Sequence, residues 1–141
     1  MFEKDYVMRQ IQMMVAALLR IMHLVNEKDF FTAKAEIKDA VKLITGFSLD
    51  QIKQLDIDDL KLIFSLNKEN GNINAAYTGK LIFEEAKMLE EEKDIKQSKE
   101  GYKKALEIYE YLDKNNKIPE NIEFDIKEEI KTLNTKIINH R

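Results

Sequence analysis

Apolar residues recur at steps of three and four along almost the whole chain. Little interrupts them: one proline, Pro119, and four glycines in 141 residues. That spacing lines one face of a helix, and so few breakers imply long helices joined by short connections. The last stripe is the clearest, with Ile126, Ile130, Leu133 and Ile137 spaced by four, three and four. Strand signals are absent. The expected fold class is all-α, with about six to seven helices in a single domain of residues 1–141.

Local signals place the helices. The first is expected over Glu3–Asn26, with Val7, Ile11, Met14, Leu18, Ile21, Met22 and Val25 on one face and Met8, Met13, Val15, Leu19 and Leu24 on a second. A helix apolar over most of its circumference is either central in the fold or half of an oligomer interface. The next helix, near Asp29–Thr45, has Asp29 to cap its start and Gly46 to end it; Ile37, Ala40, Val41 and Ile44 face inward. Ser48-Leu-Asp-Gln51 reads as a capping box opening a short helix. Asp56 opens another, with Leu60, Ile63, Phe64 and Leu66 inward, and Asn70-Gly71-Asn72 is the strongest loop signal. Long helices follow over about Ile73–Glu92 and Ile95–Asn115, with Ala76, Leu81, Phe83, Ala86 and Leu89 inward in the first and Tyr102, Ala105, Leu106, Tyr109 and Leu112 in the second. Pro119 then restarts the chain before the last helix.

Charge narrows the class of partner. The 26 acidic and 23 basic residues are interspersed and give a formal charge of −3, whereas duplex nucleic acid calls for a basic excess on one face. No nucleic-acid partner is expected. The most apolar run, Met13–Leu19 between Arg9 and Arg20, is far short of the ~20 residues that span a bilayer, so no membrane partner is expected either. The opening Met-Phe-Glu-Lys-Asp lacks the features of a signal peptide, and there is no cysteine. A cytoplasmic location is the expectation.

A gapless internal repeat runs through two of these helices. Glu27–Ile44 aligns with Glu92–Tyr109 at an offset of 65, with Glu27, Lys28, Asp29, Lys34, Lys38 and Ala40 identical to their counterparts. The apolar positions match as well: Phe30 with Ile95, Ile37 with Tyr102, Val41 with Leu106 and Leu43 with Ile108. The second copy, with Lys93-Asp94 at the turn followed by Ser98, Tyr102 and Ala105, resembles the second half of a tetratricopeptide repeat. The matching residues of the first copy are Asp29, Ala33, Ile37 and Ala40. In the preceding helix Ala86 and Leu89 fit the family pattern, whereas its common glycine and aromatic are missing, and the 65-residue offset is nearly twice one repeat. The resemblance covers about half the chain and implies an array of antiparallel helical hairpins. The opening heptapeptide Asp5-Tyr-Val-Met-Arg-Gln-Ile11, together with Tyr102–Leu106, is also similar to a family of small bacterial proteins of unassigned function.

Constellations that carry chemistry are scarce. Neither His23 nor His140 has a glutamate three residues before it, as a helical di-iron site requires. Glu84, Glu85 and Glu90–Glu92 lie in a continuous helix, not an EF-hand loop, and read as a solvated face with Lys80 paired to Glu84. Gly71 and Gly79 make no phosphate loop, and Ser48, Ser65 and Ser98 sit in no nucleophile elbow. No catalytic residue, metal or cofactor is expected.

Binding residues remain. Tyr6 and Arg9 are types enriched at binding hot spots, and Asp5 and Arg9, one turn apart, are placed to pair. The tetratricopeptide resemblance implies a concave peptide-binding face carrying Lys80, Phe83, Lys87 and Glu90 in the second unit and Val15, Leu18 and Met22 in the first. Two functions stay open: a module that binds a protein partner, and a homo-oligomer whose apolar first helix forms the interface. A small-molecule site between helices, near Tyr102 and Tyr109, has no further support in the sequence.

Overall fold

The structure, a computed structural model, describes residues 2–139. Those residues form seven α-helices: α1 (Phe2–Asn26), α2 (Phe30–Thr45), α3 (Leu49–Gln54), α4 (Ile57–Ser65), α5 (Gly71–Glu91), α6 (Ile95–Lys114) and α7 (Ile126–Asn139). No strand occurs among them.

The helix ends follow from local chemistry. Asp29 accepts a hydrogen bond from the Thr32 backbone N–H at 3.2 Å, and Asp56 accepts one from Asp59 at 2.9 Å. Each satisfies one of the orphan donors of a first turn. The Ser48–Gln51 box closes in both directions, at 3.1 and 2.9 Å. Gly46 ends α2 at φ +80°, where a side chain would be strained. The Asn70-Gly71-Asn72 segment, expected as a loop, instead begins a helix: Asn70 is the residue before α5 and Gly71 its first member. Gly71 is required for close approach, because a Cβ there would strike the Phe64 carbonyl oxygen. Leu66, expected inward, is 82% exposed beyond the end of α4.

α5 is the centre of the fold. Every residue from Ala75 to Ala86 is buried, and the helix packs against α1, α2, α4 and α6. Small residues on it let neighbours close in: Gly79 meets the Tyr109 ring and Ala86 meets Gly101. These facing pairs are met in opposite order along α5 and α6. α1 occupies an outer position, with Ile21, Leu18 and Met14 buried while Tyr6, Met8, Met13 and Leu19 are exposed.

The repeat is reproduced in the backbone. At the end of α1, Lys28 has φ +62° and the Asp29 N–H reaches back to the Leu24 carbonyl at 2.9 Å. At the end of α5, Lys93 has φ +69° and the Asp94 N–H reaches the Leu89 carbonyl at 2.9 Å. Both are Schellman turns with lysine where glycine is usual. Asp94 then caps α6 by accepting from Gln97 N–H at 3.3 Å, as Asp29 caps α2. The two turns lie side by side, tied by Lys28–Glu91 at 3.0 Å and Lys34–Glu92 at 2.7 Å.

A left-handed conformation costs an L-residue roughly 1–2 kcal/mol, and glycine's extra freedom in the unfolded chain gives back about 0.4–1. Lys93→Gly is therefore expected to stabilise the protein by roughly 0.5–1 kcal/mol, raising Tm by about 2–4 °C. Lys28→Gly gains less, because it also removes the ion pair to Glu91. Urea denaturation of the two variants beside the parent checks the sign; a loss of stability at Lys93 would contradict the strain.

Candidate docking groove

An apolar groove runs along the outer face of α1 against α2. It consists of two adjoining hollows of about 310 and 220 Å³ that share Met13, Met14, Leu43 and Ile44. Tyr6, Arg9, Gln10, Asn67 and Asn74 rim the first; Ala16, Ala17, Arg20, Glu36, Asp39 and Ala40 line the second. Tyr6, Met13 and Leu43 are 62%, 53% and 65% exposed. From Tyr6 to Arg20 the groove follows about 21 Å of α1 at 1.5 Å per residue. Asn70 donates to the Gln10 side-chain oxygen at 2.9 Å, and the Gln10 amide nitrogen donates to the Tyr6 hydroxyl at 3.0 Å. That chain fixes Tyr6 at the rim.

The two copies of the repeat differ where their helices cross. In α5–α6, a Cβ on Gly79 would lie 2.8 Å from the Tyr109 ring and one on Gly101 would lie 2.9 Å from Ala86 Cβ. The 65-residue offset puts Met14 at the place of Gly79 and Glu36 at the place of Gly101. Ile108 is fully buried, while its counterpart Leu43 is exposed. Interiors pack as tightly as crystals, so one large side chain at a crossing decides whether a seam closes.

The structure brings Tyr6 and Arg9 together on this groove. The expected Asp5–Arg9 pair is not made: among the described residues, Arg9 has no ion pair. The other candidates lie elsewhere. Of the expected concave face, Phe83 and Lys80 are buried, at 3% and 8% exposure, while Lys87 and Glu90 are half-buried; α7 reaches the face through Glu129 and Lys136. Of the first-unit residues, Leu18 is buried, whereas Val15 and Met22 are half-buried against the core.

α7 is fastened there by charges. Lys80 Nζ lies 2.7 Å from Glu129 on α7 and 3.1 Å from Glu84, and Lys87 lies 2.7 Å from Glu84. Lys136 pairs with Glu90 at 3.0 Å, to which the Tyr102 hydroxyl donates at 2.6 Å. The Tyr109 hydroxyl donates to Glu129 at 2.7 Å. The Phe83 ring lies beneath both lysines, with Nζ atoms 5.7 and 4.9 Å from its centroid. Burial drives the Lys80 pKa down, but Glu84 and Glu129 outweigh it and leave the group above its ordinary value. Burial, reinforced by Glu129, pushes Tyr109 well up, and burial with the Glu90 hydrogen bond does the same for Tyr102.

No family model, curated protein or solved structure matches the chain.

Other expectations are corrected by position. Glu84 and Glu85, read as a solvated face, are buried, Glu84 between two lysines and Glu85 against Lys53 of α3. His23 is exposed, and His140 lies outside the described residues. Among the described residues no three His, Asp or Glu side chains gather as a metal site, and no helix is long and apolar enough to cross a membrane. Asp39 and Leu43 at the groove were not singled out from the sequence. The signal was the substitution of Met14 and Glu36 for two glycines of the repeat.

Proposed function

We propose that the chain is a protein-interaction module, an array of tetratricopeptide-like hairpins that binds a protein in the groove between α1 and α2. Its role is binding and not catalysis. One observation carries the reading: Tyr6, Met13 and Leu43 stand exposed around adjoining apolar hollows on one face. A monomer gains nothing from leaving such a patch in water, and patches of this kind mark docking sites. Aromatic and arginine side chains are enriched among the residues that dominate binding energy, and Tyr6 with Arg9 sets both on the rim of the groove. The tetratricopeptide likeness is supported by the paired Schellman turns and by the small residues at the α5–α6 crossing. The face at Lys80, Phe83, Lys87 and Glu90 would serve a partner only after α7 had lifted away.

Tagged protein captured from its own cells tests the reading, with the parent compared to Met13→Glu combined with Leu43→Glu. Both positions are exposed, so helical content should match the parent and unfolding free energy should stay within about 0.5 kcal/mol of it. Every bound protein, other copies of this chain included, should fall at least about tenfold in recovery. Equal recovery by the variant places docking elsewhere and ends the proposal.

A further inference from the structure

We infer that the occupant of the groove is a second copy of this chain, related by a two-fold axis through Met13 and Leu43. The inference rests on the groove being a docking site.

The argument is one of charge order. Arg20 pairs with Glu36 at 3.5 Å, which fixes the register of α1 against α2. Moving seven residues back along α1 and seven on along α2 brings Met13 level with Leu43, and three residues in the same sense brings Ala17 level with Asp39. Asp5, Arg9, Met13, Ala16 and Arg20 fall at successive steps of four, four, three and four on one stripe of α1. Along the groove the order is therefore acid at Asp5, base at Arg9, an apolar middle at Met13 and Leu43, acid at Asp39 and, at the far end, the Arg20–Glu36 ion pair. Among the described residues Arg9 and Asp39 have no ion pair, so each is free to meet a partner's charge.

A two-fold interface demands self-complementarity: if one residue meets another across it, the reverse contact follows. Arg9 lies four residues to one side of Met13, and Asp39, level with Ala17, lies four to the other. Rotation about Met13–Leu43 therefore sets Arg9 of each copy over Ala17 of the other, from which its long side chain reaches towards Asp39 on the adjoining α2. The same rotation sets Asp5 opposite the level of Arg20. Arg9 and Asp39 thus meet opposite charges, Asp5 faces the internally paired Arg20 and Glu36, and methionine and leucine lie at the axis. Methionine suits such a contact, because its unbranched side chain fills irregular gaps. A second α1 lying along the groove buries the exposed face that the fold leaves uncovered.

Charge reversal tests this without identifying any other molecule. Light scattering across a concentration series should give twice the 16.6 kDa chain mass for the parent. Arg9→Glu alone and Asp39→Lys alone each set two like pairs across the axis, and each should weaken the dimer by about tenfold or more. Mixing the two single variants should restore it. One site of the mixed dimer then pairs the introduced glutamate with the introduced lysine, and the other keeps Arg9 against Asp39. The double variant Arg9→Glu with Asp39→Lys should dimerise like the parent. A dimer indifferent to these changes uses another face and overturns the inference, as does a failure of the mixture to associate. A parent that stays monomeric at high micromolar concentration also overturns it; the groove reading then survives only if Met13→Glu with Leu43→Glu still abolishes capture of a different protein.

Discussion

Replacing Lys80 by methionine is expected to destabilise the protein by about 3–5 kcal/mol, the cost of breaking a buried ion cluster on one side. Lys80 is 8% exposed and lies between Glu84, itself 1% exposed, and Glu129. Its removal leaves Glu84 with Lys87 alone and Glu129 with only the Tyr109 hydroxyl. The cluster also joins α7 to α5, so the final helix should loosen first. The cost comes from the charges left behind, not from loss of an attraction. Adding Glu84→Leu and Glu129→Gln to Lys80→Met should therefore recover most of the stability, because removing a whole buried cluster is often close to neutral. Urea denaturation of the parent, the single variant and the triple variant measures both effects. A loss below about 1 kcal/mol in the single variant would mean that the cluster is effectively solvated.

Alkaline pH is expected to unfold the protein within a narrow range. Tyr77, Tyr102 and Tyr109 all have pKa values raised above 10.0, chiefly by burial, and Lys80 is raised above 10.5 by the balance already described. A raised folded-state pKa contributes stability that is complete below the unfolded value. Above pH 10 the unfolded chain has released tyrosine protons that the native state retains, so unfolding becomes steadily more favourable. Each such group removes up to about 1.4 kcal/mol per pH unit between its unfolded and folded values. Denaturation free energies should stay level with respect to these groups up to about pH 9.5 and then fall steeply. Tyr109→Phe should make the fall shallower, and an unchanged slope in that variant would remove Tyr109 from the account.

How much of this was legible depends on the range of each interaction. The caps at Asp29, Ser48, Asp56 and Asp94 are contacts across three residues, and their signals lie in the sequence beside them. The α7 stripe was equally plain, and Ile126 and Leu133 are buried as its spacing predicts. The contact between Lys80 and Glu129 joins residues 49 apart, and no periodicity shows that a final helix will cover the α5 face. Glu84 and Glu85 looked solvated because burying a carboxylate is costly. They are buried because lysines from α3 and from α5 itself reach them. The first helix offered two readings, central or interfacial, and its periodicity could not choose between them. In the structure Met14, Leu18 and Ile21 are buried while Tyr6, Met8, Met13 and Leu19 stay exposed.

The two hairpins of the repeat thus share a turn and differ at a crossing. Where Gly79 and Gly101 let helices touch, an added Cβ would strike Tyr109 or Ala86, so those two positions have little room to vary. Around Met13 and Leu43 the seam is open, and a changed side chain meets solvent or a visitor. A duplication with this asymmetry separates two demands that usually compete. One hairpin keeps the shape and the other is at liberty to change its companions, so sequence drift at Tyr6, Arg9, Asp39 and Leu43 can alter what the protein recognises without reopening the question of whether it folds.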